Sequence, residues 1–372
     1  MGKNILITGG AGFIGSHLAN ELLNYGYRVR ILDILCPQVH GAARKRPAYL
    51  NPDVELQVGD VRDASAVHRA LEGIDAVYHF VAVVGVGQSM YEIADYTSVN
   101  NLGTAVLLEG VLKQKNIQRM VVASSMSIYG EGLYQDSKGR ICAAADRTLQ
   151  QIKAQDWEVR NEEGETLTPV ATPETKTPTL ASVYALSKYD QEQMCLMIGR
   201  AYQIPTAALR FFNIFGPNQA LSNPYTGVLA IFASRLLNNR APLINEDGKQ
   251  KRDFVSVYDV ARACRLALEN KEAAGGVFNI GSGNQYTVSE LGDRIARVLG
   301  KDIAPEITGQ YRAGDIRHCF ADITKAREVL GFEPYVSLED GLADLASWLE
   351  GQIASDRVAE SRSELAARGL MV

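Results

Sequence analysis

The chain has 372 residues, 46% of them hydrophobic and 22% charged, and a formal net charge of −5. Those proportions exclude a wholly disordered chain, and the mild acidity leaves no basic field to hold a nucleic-acid backbone, so nucleic acid is not an expected partner. No apolar run reaches the ~18 residues of a membrane span, and the length allows one large or two interlocked domains.

From the N-terminus, Met1-Gly2-Lys3-Asn4 runs straight into a strand-like segment, so no leader and a cytoplasmic location are expected. Lys3–Thr8 reads as a buried strand, Gly12–Tyr25 has helical periodicity, and Arg28–Asp33 is a second strand. Val54–Val58, Ala76–Phe80 and Arg119–Ala123 are further strands, separated by helical segments near Asp63–Leu71 and Gly103–Lys113. This alternation predicts an α/β fold, a Rossmann-like doubly wound parallel sheet with helices on both faces.

Residues 130–178 break the rhythm: they are polar, mixed in charge and end in a Thr/Pro-rich stretch. They read as an insertion with a short helix near Thr148–Trp157, of the kind that forms lids or binding elements. A helix over Ser182–Tyr202 and a strand over Pro205–Arg210 follow. Beyond Phe215, Gly, Pro and Asn turns predict a smaller C-terminal α/β domain that binds substrate. The expected division is 1–213 with 255–282 for the larger domain and 214–254 with 283–350 for the smaller. The tail, 351–372, is helical in pattern and reads as a surface helix or frayed end. Cys36, Cys142, Cys195, Cys264 and Cys319 are odd in number and form no C-x-x-C pair. They predict buried thiols in a reducing compartment, and no metal site is expected.

Directly after the first strand, Gly9, Gly12 and Gly15 give a G-x-x-G-x-x-G turn leading into a helix. Glycine lets the backbone approach a pyrophosphate, and the N–H groups of Gly12, Phe13, Ile14 and Gly15 then lie at a positive helix end. Asp33 ends the second strand, where a carboxylate accepts hydrogen bonds from the adenosine ribose and repels a 2′-phosphate. With Ile34 next to it and no compensating cation, the expected cofactor is NAD rather than NADP. Asp60 and Val61 follow the third strand, where an acid can meet the adenine amino group or cap the next helix; the residues leave both readings open.

Tyr184 and Lys188 form Y-x-x-x-K on a predicted helix, one face carrying both. A phenol ionises near pH ~10. A neighbouring ammonium and the positive nicotinamide of NAD⁺ favour the phenolate, so Tyr184 becomes a candidate general base. Lys188 is also a candidate for the nicotinamide ribose. Ser125 ends another strand at the carboxyl edge, where it can bond the reacting sugar oxygen and share a proton with Tyr184.

In these residues the chain resembles the extended short-chain dehydrogenase/reductases, and within them the nucleotide-sugar epimerases and dehydratases. The resemblance runs over about residues 3–350. It rests on TGGAGFIG (8–15), Asp33, Asp60-Val61, His79-Phe80-Val81-Ala82, Asn100 with Gly103-Thr104, and SSMSIYG (124–130). It continues through YALSK (184–188), Arg210-Phe211-Phe212-Asn213, Arg252-Asp253-Phe254 and Arg312-Ala313-Gly314-Asp315-Ile316-Arg317. It implies Tyr184 as base, Lys188 as its partner and Ser125 as the catalytic hydroxyl. Phe80, Ala82, Asn100 and Phe211 would line NAD. Asn213, Arg252 and Arg312 would hold the nucleotide diphosphate, for which guanidinium forks suit, and Asp315 a nucleoside hydroxyl. It also implies a homodimer, formed by the helix near Gly103–Lys113 and the one carrying Tyr184.

Dehydratases of this family look like Thr-Asp-Glu where this chain has Ser125-Met126-Ser127. Neither Met nor Ser replaces a carboxylic acid. Epimerisation needs less: Tyr184 takes the 4-hydroxyl proton, NAD⁺ takes hydride from C4, the keto-sugar turns over, and hydride returns to the other face. The expected enzyme is therefore an isomerase, a nucleotide-sugar 4-epimerase using a dTDP- or UDP-sugar. GVGQSMY (85–91), ALSNPYTG (220–227) and the long insertion resemble dTDP-L-rhamnose 4-epimerases, which implies interconversion of dTDP-L-rhamnose and dTDP-6-deoxy-L-talose. Some relatives pair cysteines in that insertion; here only Cys142 is present. UDP-glucose or UDP-glucuronate 4-epimerase and a 4-keto-sugar reductase are the alternatives. Val84 stands where familiar UDP-galactose epimerases have Lys.

Overall fold

The structure, a computed structural model, describes residues 2–142, 144 and 147–371. Its centre is a parallel sheet of seven strands: β1 Asn4–Thr8, β2 Arg28–Asp33, β3 Glu55–Val58, β4 Ala76–His79, β5 Arg119–Ser125, β6 Thr206–Phe211 and β7 Val277–Ile280. Their order across the sheet is β7-β6-β5-β4-β1-β2-β3, with every pairing parallel. The chain thus reverses direction across the sheet beside β1, which opens a crevice at the carboxyl edge.

Helices cover both faces, and β1 shows why. Ile5 and Ile7 point into one core with Leu18 and Leu22 of α1 (Phe13–Asn24). Leu6, between them, points into the other with Val67 of α2 (Ala64–Leu71) and Leu107 of α3 (Gly103–Leu112). The two-residue period of a strand divides a continuous apolar run between two buried faces. α4 (Val183–Ala201) adds Cys195 to the second core. The N-termini of α2 and α4 are capped by Asp63 and Ser182, close to the expected bounds.

After Phe212 the chain leaves the sheet, and Asn213–Phe215 pairs with Phe254–Ser256 instead. Around that pair stand α5 (Val228–Leu237), α6 (Val257–Glu269, which packs back on α1), α7 (Val288–Val298) and α8 (Leu338–Leu349). The apolar sides of α5, α7 and α8 meet Phe215 in a separate smaller core with Phe232, Leu291 and Leu345, whereas α6 turns Val260 and Cys264 into the first core of the sheet.

One segment differs from expectation. Residues 130–178 are not an excursion with one helix: Leu133–Gln135 pairs antiparallel with both Ile141–Cys142 and Thr168–Val170. This small sheet has its own core of Tyr134, Val159 and Leu167. The expected helix is shorter, Leu149–Lys153, capped by Thr148. Strands of two and three residues are too short to show a period. The tail forms α9 (Val358–Ala367), a surface helix as expected, held down along one side by Ser361 and Leu365. Leu365 is buried, and the N–H of Ala313 bonds the Leu370 carbonyl at 2.9 Å. Of the cysteines, Cys195, Cys264 and Cys319 are buried as expected, whereas Cys36 is exposed and Cys142 half-buried.

Candidate active site

β1 ends at Thr8, and Gly9 takes φ +69, where a Cβ would strike the Val81 backbone at 2.7 Å. A Cβ on Gly15 would meet Gly10 Cα at 2.5 Å, so α1 packs directly on the turn. Gly12 differs: a Cβ there would meet only the Gly9 carbonyl, at 3.5 Å, and otherwise open space. No side chain caps α1 and no acid stands in its first turn. Asp63, Ser182, Ser256, Thr287 and Ser337 cap other helices. The free N–H groups of α1, beside half-exposed Phe13 and Ile14, fit a diphosphate.

Asp33 lies at the same edge and is buried. Its oxygens accept the N–H groups of Ala11 at 3.0 Å and Leu35 at 2.8 Å, leaving each oxygen acceptor capacity for ribose hydroxyls. His40 stands 3.9 Å away, and burial lowers its pKa, so it offers little positive charge to a 2′-phosphate. The residues present fit NAD. Asp60 does not cap α2; that is Asp63. Instead it accepts Arg62 Nη2 at 2.6 Å and Nε at 3.0 Å. Val61 is buried and turns its side chain under Gly103.

Phe80 and Phe211 end adjacent parts of the sheet and meet edge to face at 5.8 Å, with half-exposed Ala82 just beyond. Asn100 is fully buried. It accepts Val83 N–H at 2.8 Å and donates to the Val83 carbonyl at 3.1 Å and Ser187 Oγ at 2.9 Å. Its amide therefore staples the wall at 81–84 to α4.

Ser125, Tyr184 and Lys188 come together where β5 runs out beneath α4. Ser125 Oγ accepts the Ser127 N–H at 3.1 Å and its hydroxyl at 2.9 Å. With two donors on its oxygen, the Ser125 hydroxyl keeps its own proton to donate. Burial raises the Tyr184 pKa above the ordinary phenol value, and a hydrogen bond with Ser125 lowers it in part. Lys188 is buried, and burial lowers its pKa to about 8.

Sequence reasoning missed the group that holds Lys188. Its Nζ donates to Gln191 Oε1 at 2.7 Å, one turn on along α4. Gln191 Nε2 in turn donates to Thr104 Oγ1 at 3.0 Å and the Val81 carbonyl at 3.2 Å. Because Val81 offers only an acceptor, the amide nitrogen must face it and the amide oxygen must face Lys188. His79 completes the network, bonding Thr8 at 2.9 Å and Thr104 at 2.7 Å. Burial and the Lys188 charge push its pKa down to about 3, so it stays neutral.

The four residues expected at the substrate lie across the crevice. Asn213 Nδ2 donates to the Asp253 carbonyl at 2.9 Å, leaving its oxygen without a donor among the described residues. Arg252 Nη1 donates to the Lys251 carbonyl at 2.9 Å and the Arg317 carbonyl at 2.8 Å, so much of its fork anchors backbone. Arg312 pairs with Asp315, Nε to Oδ1 at 3.0 Å. Behind them stands a group with no local signature. Arg147 from the insertion bonds Glu246, and Arg317 bonds Glu246, Asp247 and Glu158.

The sequence model of the NAD dependent epimerase/dehydratase family matches residues 5–148 and 162–281. The dTDP-L-rhamnose 4-epimerase of Burkholderia thailandensis is 35% identical over 355 residues, 95% of this chain and 96% of that protein. The UDP-glucose 4-epimerase of Thermotoga maritima, solved with UDP-glucose, superposes with a TM-score of 0.75 at 31% identity, over 94% of this chain and 99% of that one. The UDP-glucuronic acid 4-epimerase of Bacillus cereus, solved with UDP-glucuronic acid and NAD, gives 0.76 at 27% identity, with the same coverage of 94% and 99%.

Proposed function

The chain belongs to the NAD dependent epimerase/dehydratase family, and from that premise we propose that it interconverts dTDP-L-rhamnose and its C4 epimer, dTDP-6-deoxy-L-talose. It is a nucleotide-sugar 4-epimerase, an isomerase, and its cofactor is NAD. The observation that carries the reading is the Ser125–Tyr184–Lys188 group at the carboxyl edge, with Met126 and Ser127 where an eliminating enzyme needs carboxylic acids.

Bound NAD would supply the hydride chemistry at C4 of the sugar, with no net oxidation. The protein does the rest. Tyr184 takes the proton of the 4-hydroxyl and later returns it. The Ser125 hydroxyl, oriented by Ser127, donates to the same sugar oxygen and steadies the charge that builds there. The Lys188 ammonium favours the phenolate. α1, Asp33, Asp60 and the walls formed by Val61, Phe80, Ala82, Asn100 and Phe211 hold the dinucleotide. Asn213, Arg252 and Arg312 hold the substrate diphosphate and Asp315 a nucleoside hydroxyl, so the smaller unit grips the nucleotide while the keto-sugar turns over.

The identity to the Burkholderia enzyme supports the dTDP reading. The two UDP-sugar epimerase structures favour a second one, a UDP-glucose or UDP-glucuronate 4-epimerase. Exposed Leu102, Leu186 and Met197, on and beside α3 and α4, support a homodimer seam there. Among the described residues no helix is long and apolar enough to cross a membrane. The deciding experiment offers dTDP- and UDP-sugars to the purified protein and resolves C4 by NMR. A mixture of dTDP-L-rhamnose and its epimer, with nicotinamide absorbance unchanged, is expected. Turnover of UDP-sugars alone establishes the second reading, and stoichiometric loss of absorbance a reductase.

A further inference from the structure

We infer that Arg147, on the insertion, is a positioning residue for the substrate's nucleotide: it fixes the loop that carries Arg312 and Asp315. The inference rests on the reading of those two residues as nucleotide ligands.

Arg147 is a buried guanidinium, its side chain only 3% exposed. A buried charge persists only where its donors are used, and these reach three separate segments. Nη2 donates to the main-chain carbonyl of Asp315 at 3.2 Å, and Nη1 to Glu246 Oε1 at 2.9 Å. Nη1 also reaches the Trp157 carbonyl of the insertion itself, at 3.4 Å. The guanidinium plane lies over the Tyr311 ring, 5.2 Å from its centre. Tyr311 converges on the same carbonyl, its hydroxyl donating to Asp315 O at 3.3 Å.

Asp315 is thereby gripped at both ends. Its carbonyl takes Arg147 and Tyr311; its carboxylate takes Arg312 and, at 3.3 Å, the Asn245 amide. Asn245 precedes Glu246, the other target of Arg147. Glu246 holds φ +53, a left-handed conformation that costs a non-glycine residue energy and persists where the surroundings enforce it. The enforcing groups are Arg147 and Arg317, which bond its two oxygens at 2.9 Å each. One insertion side chain therefore sets both the main chain of Asp315 and the residue beside its carboxylate's partner.

The test measures binding of dTDP and of UDP to the NAD-loaded protein by calorimetry, with KM and kcat wherever the sugar panel gives turnover. Arg147→Met should weaken the favoured nucleotide about tenfold, and raise KM to match, while kcat and bound NAD stay as they are. Arg147→Lys, which restores charge but not the fork, should recover part of that loss. Tyr311→Phe, a milder change, should weaken binding about threefold and decides the matter if Arg147→Met does not fold. Unchanged nucleotide affinity in a folded variant overturns the inference, as does parallel loss of kcat and NAD. Arg312→Ala separates the two layers. If it leaves nucleotide binding intact, the reading of the loop has failed; if it weakens binding while Arg147→Met does not, only the positioning role has.

Discussion

The two sides of the crevice are built from different material. The side proposed for the dinucleotide is made largely of backbone: a glycine turn, the uncapped start of α1, and strand ends that share one edge. The side proposed for the nucleotide sugar is backed by buried charged side chains drawn from residues far apart in sequence, with Arg147, Glu246 and Arg317 at its centre. A backbone-built site is written in consecutive residues, because the same few positions must turn, approach and start a helix. A side-chain-built site has no such constraint: residues 312–317 are consecutive, but Arg147 and Glu246, which hold them from behind, carry no pattern around them.

Tyr184 lies where the two sides meet, and its loss gives the largest expected effect. Tyr184→Phe removes only the ionising oxygen, so turnover should fall by about 10²–10⁴-fold, the usual worth of acid–base catalysis. NAD content, set by the other wall, should not change. Near-normal turnover in this variant removes Tyr184 from the chemistry.

Asp33 tests the dinucleotide side alone. Asp33→Ala deletes the carboxylate that bonds Ala11 and Leu35 N–H and offers its remaining capacity to the ribose. A hydrogen bond to a charged group is worth about 1.5–3 kcal/mol, so NAD affinity should fall roughly 10- to 100-fold. Nucleotide-sugar affinity should move little. Titration of both ligands checks the split; equal losses would show that the two sides are not independent.

The contrast also explains what could be read from the sequence. β1, β2, β5, α1 and α4 were legible because strand and helix periods and their caps are local. Gly9, Asp33, Ser125, Tyr184 and Lys188 were legible because each occupies a fixed offset from a strand end or a helix start. Gln191 sits one turn beyond Lys188, a spacing that signals contact on a helix. It went unread because a glutamine there becomes informative only once Thr104 and Val81 are known to orient its amide. The insertion's small sheet was illegible because its strands are two and three residues long. Arg147, Glu158 and Glu246 were illegible because they meet each other and Arg317, itself part of the 312–317 motif, only in the fold.

Gln191 sharpens the comparison through pH. Lys188 titrates near pH 8 because burial lowers it, so the ammonium that supports the phenolate is lost above that value. The titratable groups around it are His79 on β4 and, on α4 itself, Tyr184, Glu192 and Cys195. Activity should therefore decline on the alkaline side. The folded pKa lies below that of an exposed lysine, so this group costs stability at neutral pH, and the cost is relieved as pH rises from about 8 through about 10.4. Gln191→Glu sets a carboxylate against the ammonium and should move the alkaline limb upward by about one unit, roughly a tenfold rate difference on that limb. An unmoved limb, in a variant that still binds NAD, would leave Gln191 without influence on Lys188.

The smallest expected effect belongs to the tail, and it asks how far the side-chain-built half extends. α9 lays Leu365 over Gly87, where an added Cβ would lie 3.2 Å from Leu365 Cδ2 and 3.6 Å from Arg312 Cδ. Arg368 stacks on Tyr91 at 4.4 Å, and Arg312 pairs with Met371 through a β-bridge. The tail thus ties the Arg312 loop to the segment 85–91 from the opposite side of the crevice. Leu365→Ala removes the apolar contact without touching a ligand-bearing side chain. If the tie holds the loop in register, KM for the nucleotide sugar should rise about threefold, less than 1 kcal/mol, with kcat and NAD content constant. A folded Leu365→Ala protein with unaltered KM would place the tail outside the site, and the charged half of the crevice would then end at the insertion.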